Sequence, residues 1–104
     1  MNAQYKKLWL DALRSGEYGQ WKGKLKRDGN TFCCLGVLCD IHRKRQKKKI
    51  YQWNQDSYLG STGYLPDKIA EVAKLSGLIS SQLVDLNDGG RSFKEIADYI
   101  EEIA

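Results

Sequence analysis

The sequence predicts an α+β fold, with four or five helices around one central helix and a single β-hairpin. Three observations carry this prediction. Apolar residues recur at helical spacing over residues 3–14, a turn-forming Asp28-Gly29 pair lies within residues 24–33, and the run Phe32–Asp40 is mostly apolar and rich in cysteine. A chain of 104 residues is about one domain in length, so residues 1–104 are expected to form a single domain.

Residues 3–14 are predicted to form an amphipathic helix, because apolar side chains fall three and four positions apart along one stripe. The residues of this stripe, all expected to be buried, are Tyr5, Leu8, Trp9, Ala12 and Leu13. Asn2 suits the N-cap of the helix, and Gly16 suits the left-handed position that follows its last turn.

The Asp28-Gly29 pair predicts a two-residue turn for the hairpin at 24–33. Counting outward from that turn places Leu25 opposite Phe32. Both are apolar, so this pair is expected to share the buried face of the hairpin, and the lysines on either side of Leu25 are expected to face solvent.

The segment from Cys34 to about His42 is predicted to be the central helix, because its apolar residues form an almost continuous buried face. Gly36 lies inside it, where glycine costs about 1 kcal/mol relative to alanine. Its presence there indicates close contact between this helix and another backbone.

Residues 43–64 have the least regular pattern. The basic run Arg43–Lys49 leads into Ile50–Trp53, which has strand propensity, and then into a loop rich in Gly, Ser and Tyr from Ser57 to Tyr64. An irregular loop and a second small β-ribbon are both compatible with this pattern.

The last third of the chain is predicted to be helical. Pro66 suits the first position of a helix that Gly77 ends, and Ser80 or Ser81 opens a short helix that Gly89-Gly90 breaks. A capping box then opens a last helix at Ser92-Phe93-Lys94-Glu95. The residues expected to face inward are Ile69, Val72, Ala73, Leu83, Leu86, Phe93, Ile96, Ala97, Ile100 and Ile103.

Composition favours a cytoplasmic protein that does not enter a membrane. No apolar run approaches the roughly 20 residues that a spanning helix needs, and the first residues lack the layout of a signal peptide. The three cysteines are odd in number and two are adjacent, which makes a poor disulfide framework and fits free thiols.

Charge is distributed unevenly along the chain. Residues 1–52 carry 13 Lys and Arg against 4 Asp and Glu, whereas residues 53–104 carry 4 against 9. A basic half favours an anionic partner such as a nucleotide, a nucleic acid or an acidic protein surface. Attraction between the two halves within the fold would also explain the asymmetry.

Several motifs resemble those of a family of small uncharacterised proteins encoded by tailed bacteriophages. They are Trp9-Leu10, Ala12–Gly16, the run Phe32–Asp40, Leu65-Pro66, Leu86-Asn87-Asp88, Ser92-Phe93 and Ile96-Ala97-Asp98. The resemblance implies an accessory protein that acts in the cytoplasm of an infected host. Small phage proteins of this kind often inhibit host enzymes or defence systems, some by sequestering nucleotide signals.

Two chemical interpretations of the cysteine run are disfavoured. Cys39 and His42 are three residues apart and could face one ion, but structural zinc sites usually pair short ligand spacings from more than one element. A Cys–His nucleophile needs an exposed thiol and an orienting third group, and neither is indicated. Core thiols are the better interpretation, with no metal, no cofactor and no enzymatic activity expected.

Residues 66–88 have the apolar spacing of a helix-turn-helix and resemble the headpieces of lac-repressor-type regulators. Such a unit would present Ser80, Ser81, Gln82 and Asp85 to the major groove. Its charge argues against DNA, because residues 64–88 carry four acidic and only two basic side chains. A nucleic-acid-binding regulator and an inhibitor that docks on a host protein remain the alternatives.

The favoured function is non-catalytic binding of an anionic ligand, a nucleotide or a nucleotide-derived signal. Cations beside aromatic residues suit phosphate and base together, and this mixture occurs both at residues 43–64 and around Trp21. The loop at residues 87–92 adds glycines, an arginine and a helix start. The predicted ligand-binding residues are Arg14, Trp21, Lys22, Lys24, Arg91 and Ser92.

Overall fold

Five helices and one two-stranded sheet form the structure, a computed structural model that describes all 104 residues. In chain order the elements are α1 (Ala3–Ser15), β1 (Gly19–Gln20), β2 (Thr31–Phe32), α2 (Cys34–Gln46), α3 (Asp67–Ala73), α4 (Gly77–Asp88) and α5 (Phe93–Ile103). The predicted α+β class is confirmed. None of the helices is long and apolar enough to cross a membrane.

Helix α2 is the centre of the fold, as predicted. All nine residues from Cys34 to His42 are buried, and α2 contacts β2, α1, α3 and α4. The indole of Trp9, in α1, donates a hydrogen bond of 2.9 Å to the carbonyl of Cys34, which joins the two helices at the start of α2. Helix α1 packs on its other side against α5.

Helix α1 begins and ends as predicted, but its buried face is rotated. The side chain of Asn2 caps the first turn, and Gly16 takes a left-handed conformation (φ 79°) after the last. Leu8 is 41% exposed, which corrects its prediction as a core residue, whereas Leu10 is buried. At about 100° per residue the buried arc runs from Tyr5 round to Leu10, and Leu8 lies about 60° outside it. The rotation follows from burying α1 between two helices, α2 and α5.

The hairpin has a three-residue loop, not the predicted two-residue turn. Lys26 forms the bridge to Phe32, and the N–H of Arg27 donates to the carbonyl of Thr31 at 2.8 Å. Leu25 is therefore not opposite Phe32, although both are buried. The register shifts because Asn30 is held by the preceding segment: its carbonyl accepts from the N–H of Gly19, and its side chain donates to the carbonyl of Glu17.

Strand β1, which the sequence did not predict, pairs in parallel with β2. Further along, no second ribbon forms in residues 43–64. Helix α2 continues to Gln46 and ends at Lys47, whose φ is 53°. Two tight turns follow, closed by single bridges from Asn54 to Ser57 and from Tyr58 to Ser61.

The junction between α3 and α4 corrects two predictions. Helix α3 ends at Ala73, where Lys74 takes the left-handed conformation and the N–H of Leu75 reaches back to the carbonyl of Ala70. These residues perform the role predicted for Gly77 and Leu78. Ser76 then caps α4, so that helix begins at Gly77 and not at Ser80 or Ser81.

Helix α5 opens with the predicted capping box, in which the Ser92 and Glu95 side chains each accept from the other's backbone N–H. Most of the predicted C-terminal core is buried, with three exceptions. Val72 and Leu86 are only partly buried, and Ile103 is exposed near the end of α5.

Candidate functional site

Trp21 and Lys22 line one cleft, of about 330 Å³, together with Gln20, Asn87 and Gly90. The indole is 41% exposed, and the guanidinium of Arg27 lies 3.9 Å from its ring centroid. One face of this predicted stacking platform is therefore already covered by a cation from the chain itself.

The loop after α4 is held by the side chain of Gln20. Its Nε2 donates to Asn87 Oδ1 at 3.0 Å and to the carbonyl of Arg91 at 2.7 Å, while its Oε1 accepts from the N–H of Phe93 at 3.1 Å. The N–H of Ser92 donates to Glu95. The N–H groups predicted to hold an anion at the start of α5 thus mostly have partners within the chain.

The remaining predicted site residues lie apart from the Trp21 cleft. Arg91 pairs with Glu95 at 3.2 Å and lines a different cleft. Lys24 pairs with Asp56 at 2.9 Å. The structure therefore brings Trp21 and Lys22 together in one cleft. Gln20, which also lines this cleft, connects it to the backbone of Arg91 by a hydrogen bond.

Arg14 lies along α5, away from the start of that helix. It bonds Glu101 at 3.1 Å and Asp98 at 2.8 Å, and these hydrogen bonds raise the pKa of its guanidinium. Asp98 is six residues beyond Ser92, or roughly 9 Å along the helix. Through these two ion pairs, Arg14 links α1 to α5.

A second cleft combines several cations with aromatic rings. This basic cleft, of about 420 Å³, is lined by Arg43, Lys47, Lys48, Lys49, Tyr51, Gln52 and Trp53. No carboxylate lines it. Three other clefts contain carboxylates: one holds Asp28 and Asp56, another holds Asp11 and Glu17, and a third holds Glu95. The Trp21 cleft also lacks a carboxylate, but it has only a single cation.

A buried carboxylate positions two walls of the basic cleft. Asp40 is 4% exposed, and its Oδ1 accepts from Arg43 Nε at 2.7 Å and from Trp53 Nε1 at 3.0 Å. Its Oδ2 accepts from the hydroxyl of Tyr18 at 2.7 Å. Burial alone would raise the pKa of Asp40, but these hydrogen bonds outweigh it, so the pKa lies below its ordinary value.

Tyr51, on the same cleft, packs against a buried histidine. The ring centroids of Tyr51 and His42 are 4.7 Å apart in an edge-on arrangement, and His42 Nδ1 lies 2.7 Å from the hydroxyl of Tyr58. His42 Nε2 is buried without a partner. Burial, with a smaller contribution from the charge of Lys68, lowers the pKa of His42, so the ring is neutral at pH 7.

His42 should make the protein less stable as the pH falls below about 6.5. Its folded-state pKa lies below its ordinary value of 6.5, so the unfolded chain binds more protons in this range and acid favours unfolding. Urea unfolding at pH 7.5, 6.5 and 5.5 should show this loss, and His42→Gln should show less of it. Since His42 is the only histidine, identical pH profiles for the two proteins would contradict this expectation.

The three cysteines are free and buried. Cys33 caps α2, with its Sγ accepting from the N–H of Gly36, and Cys34 Sγ lies 3.7 Å from the carbonyl of Leu83. Burial raises the pKa of all three thiols. No group of three or more His, Cys, Asp or Glu residues is placed to hold a metal ion.

The native protein should react slowly with a thiol reagent such as dithiobis-nitrobenzoate. Attack needs an exposed thiolate, and burial here both shields the sulfur atoms and keeps them protonated. Labelling should be at least about a hundredfold slower without urea than in it, because it requires local or global opening. One thiol that reacts at once in the native state would overturn this.

The helix-turn-helix resemblance extends to the connection, since three residues join α3 to α4. Of the predicted base-reading residues, Ser81 and Asp85 are exposed, while Gln82 accepts a hydrogen bond of 3.0 Å from the hydroxyl of Tyr99. Ser80 Oγ is buried without a partner. Gln82 is also exposed, and its NH₂ group makes no hydrogen bond within the chain. The acidic balance of this surface still argues against DNA.

Sequence reasoning missed three residues that organise these clefts: Gln20, Asp40 and Asn87. Asn87 Oδ1 accepts from Gln20 and from the N–H of Cys34, and its Nδ2 donates to the carbonyl of Trp21 at 2.7 Å. One signal was present for Asp40. A carboxylate at the end of an apolar run, three residues before an arginine, is suited to an i,i+3 pair on a helix.

Comparison with known proteins identifies a family and no activity. A family model described as "Domain of unknown function (DUF8296)" matches residues 1–78, which take in α1, both strands, α2 and α3. Neither a curated protein nor a solved structure matches the chain. Since the match covers three quarters of its length, the chain belongs to the DUF8296 family.

Proposed function

We propose that this member of the DUF8296 family is a non-catalytic binder of an anionic ligand, a nucleotide or nucleotide-derived signal, and that the anion binds in the basic cleft. One observation carries the proposal: four cations and two aromatic residues converge there, and no carboxylate lines the cleft. The cleft lies wholly within the residues that match the family.

The cations of the basic cleft are free to meet a phosphate. The bond from Arg43 to Asp40 uses Nε, so both terminal nitrogens of the guanidinium remain available. No ion pair involves Lys47, Lys48 or Lys49. Charge-assisted bonds to phosphate are about twice as strong as neutral ones, which favours an anion over an uncharged ligand.

The proposed biological role rests on the resemblance between motifs of this chain and those of tailed-bacteriophage proteins. In this proposal the protein acts in the cytoplasm of an infected host, where removing a nucleotide signal counteracts a defence. A binder of this kind needs affinity and no catalytic group, which agrees with the buried, protonated thiols of α2.

The test compares charge-matched variants by calorimetric titration with inorganic tripolyphosphate and with nucleoside triphosphates. Replacing Lys47, Lys48 and Lys49 with glutamine should weaken binding at least about tenfold at low salt, and the loss should shrink at high salt because much of it is long-range attraction. The control replaces Lys6, Lys74 and Lys94 with glutamine, which changes the net charge equally at positions that line neither the basic cleft nor the other clefts.

Four results would count against this proposal. Equal losses in both triple variants would mean that only net charge matters. If Trp21→Ala and Arg91→Gln each weaken binding by about 1–3 kcal/mol, as expected for losing a stacking platform or a charge-assisted bond, while the lysine variant does not, the ligand lies between the Trp21 cleft and the start of α5. A steep salt dependence with single-stranded DNA in place of nucleotide would favour the nucleic-acid alternative. A host protein that co-purifies without nucleotide, seen by native mass spectrometry, would favour the inhibitor.

A further inference from the structure

A groove between α1 and α2 adjoins the basic cleft. It has a volume of about 580 Å³, and its apolar residues are Leu8, Ala12, Tyr18 and Ile41. The exposure of Leu8, on a helix whose other large apolar residues are mostly buried, leaves a hydrophobic floor open to solvent. Volume and lining both fall in the range typical of small-molecule sites.

Lys47 joins the two sites, because it lines both the α1–α2 groove and the basic cleft. It ends α2 in a left-handed conformation, so the chain turns there and the following lysines belong only to the basic cleft. A molecule with phosphates at one end and a flat, largely apolar group at the other would span this junction. Lys47 would lie at the point where the two parts of that molecule meet.

The polar groups of the groove restrict which base would fit. Asp11 is already paired with Lys7 at 3.1 Å, whereas Glu17 makes no ion pair. An ionised carboxylate only accepts hydrogen bonds. Guanine presents two adjacent donors, its N1–H and N2–H₂ groups, to such a carboxylate. Adenine and cytosine place a donor beside an acceptor, and uracil places its single donor between two acceptors.

We propose that the ligand is a guanine nucleotide, with its base in the α1–α2 groove facing Glu17 and its phosphates at Lys47 and the basic cleft. This inference rests on the proposed function, and it adds the class of base and the position where that base binds. It also accounts for a partly apolar groove with one unpaired carboxylate next to the basic cleft. The other two cations that line the groove, Lys44 and Arg45, already donate to the hydroxyl of Tyr18 and to Oε1 of Gln4.

The experiment titrates the 104-residue protein with GTP, ATP and inorganic tripolyphosphate. GTP should bind at least about tenfold more tightly than either of the others, as expected for one charge-assisted hydrogen bond to the base. Glu17→Gln should remove most of the preference for GTP over ATP and leave tripolyphosphate binding nearly unchanged. Ala12→Phe should fill the groove and weaken GTP alone.

Controls separate the two proposals. Glu102→Gln makes the same charge change on an exposed position of α5 and should keep the preference for GTP, while thermal unfolding confirms that each variant is folded. If tripolyphosphate and ATP bind as tightly as GTP, the groove does not hold guanine, although the basic cleft still holds an anion. If none of the three binds, both proposals fail.

Discussion

Replacing Gly36 with alanine should destabilise the protein by about 3 kcal/mol or more, the upper range for forcing extra volume into a packed core. A Cβ atom built at Gly36 would lie 1.8 Å from the carbonyl oxygen of Leu25 and 2.7 Å from its carbonyl carbon. Those are backbone atoms that no side-chain rotation can move. The same carbonyl accepts a hydrogen bond of 3.0 Å from the N–H of Cys33, so a shift that relieves the clash would strain the start of α2.

Gly77→Ala is the matched control, because it also places alanine in a helix. No atom lies within 4 Å of the Cβ position at Gly77, and its φ is not in the left-handed range. That variant should be neutral or more stable by up to about 1 kcal/mol. Urea and thermal unfolding of the three proteins provide the comparison. If Gly36→Ala is as stable as Gly77→Ala, α2 does not pack on the Leu25 backbone as closely as the structure has it.

Gly36 illustrates what the sequence could predict about the fold. A glycine that lowers helix stability inside an apolar helix indicates a close backbone contact, and the structure confirms it. The partner, Leu25, could not be named, because nothing local specifies which distant segment approaches. The hairpin register shows the same limit: the Asp28-Gly29 turn was detected, but its pairing depends on contacts from Asn30 to Glu17 and Gly19.

Where two local signals competed, composition alone chose wrongly. Gly77 is the usual residue for a helix end, yet Lys74 takes the left-handed conformation and Ser76 caps the next helix. The left-handed backbone of Lys74 is slightly strained for a residue with a side chain. The burial of Leu75, the next residue, offsets that strain because it requires the chain to turn at Lys74. Which of two candidate residues ends a helix depends on which side chains the tertiary structure buries, and that burial cannot be predicted from a single sequence.

The candidate sites divide in a similar way. The sequence located cations and aromatic residues correctly, but it could not tell which of them the fold would use internally. Arg14 forms ion pairs with Asp98 and Glu101 of α5, and Lys24 forms an ion pair with Asp56. Lys47, Lys48 and Lys49, which follow α2, form no ion pair, and no carboxylate lines the cleft that they share.

Asp40→Asn should destabilise the protein by about 2–4 kcal/mol at pH 7, because it removes one partner of a buried, hydrogen-bonded pair. The carboxylate accepts from Arg43, Trp53 and Tyr18, and Lys44 Nζ lies 3.8 Å away. An asparagine offers only one acceptor oxygen, and its NH₂ group would face donors. Asp11→Asn, which removes an exposed carboxylate paired with Lys7, should cost no more than about 0.5 kcal/mol and serves as the control.

The pH dependence of this loss separates charge from packing. The folded-state pKa of Asp40 lies below its ordinary value of 3.8, so its stabilisation is present above that value and is lost as the pH falls through the folded-state pKa. The difference in unfolding free energy between the parent protein and Asp40→Asn should therefore be constant from pH 7 to about 5 and shrink below the ordinary value. A difference that stays constant at acid pH would mean that Asp40 acts through its shape and neutral hydrogen bonds, and that its charge does not hold Arg43 and Trp53 in place.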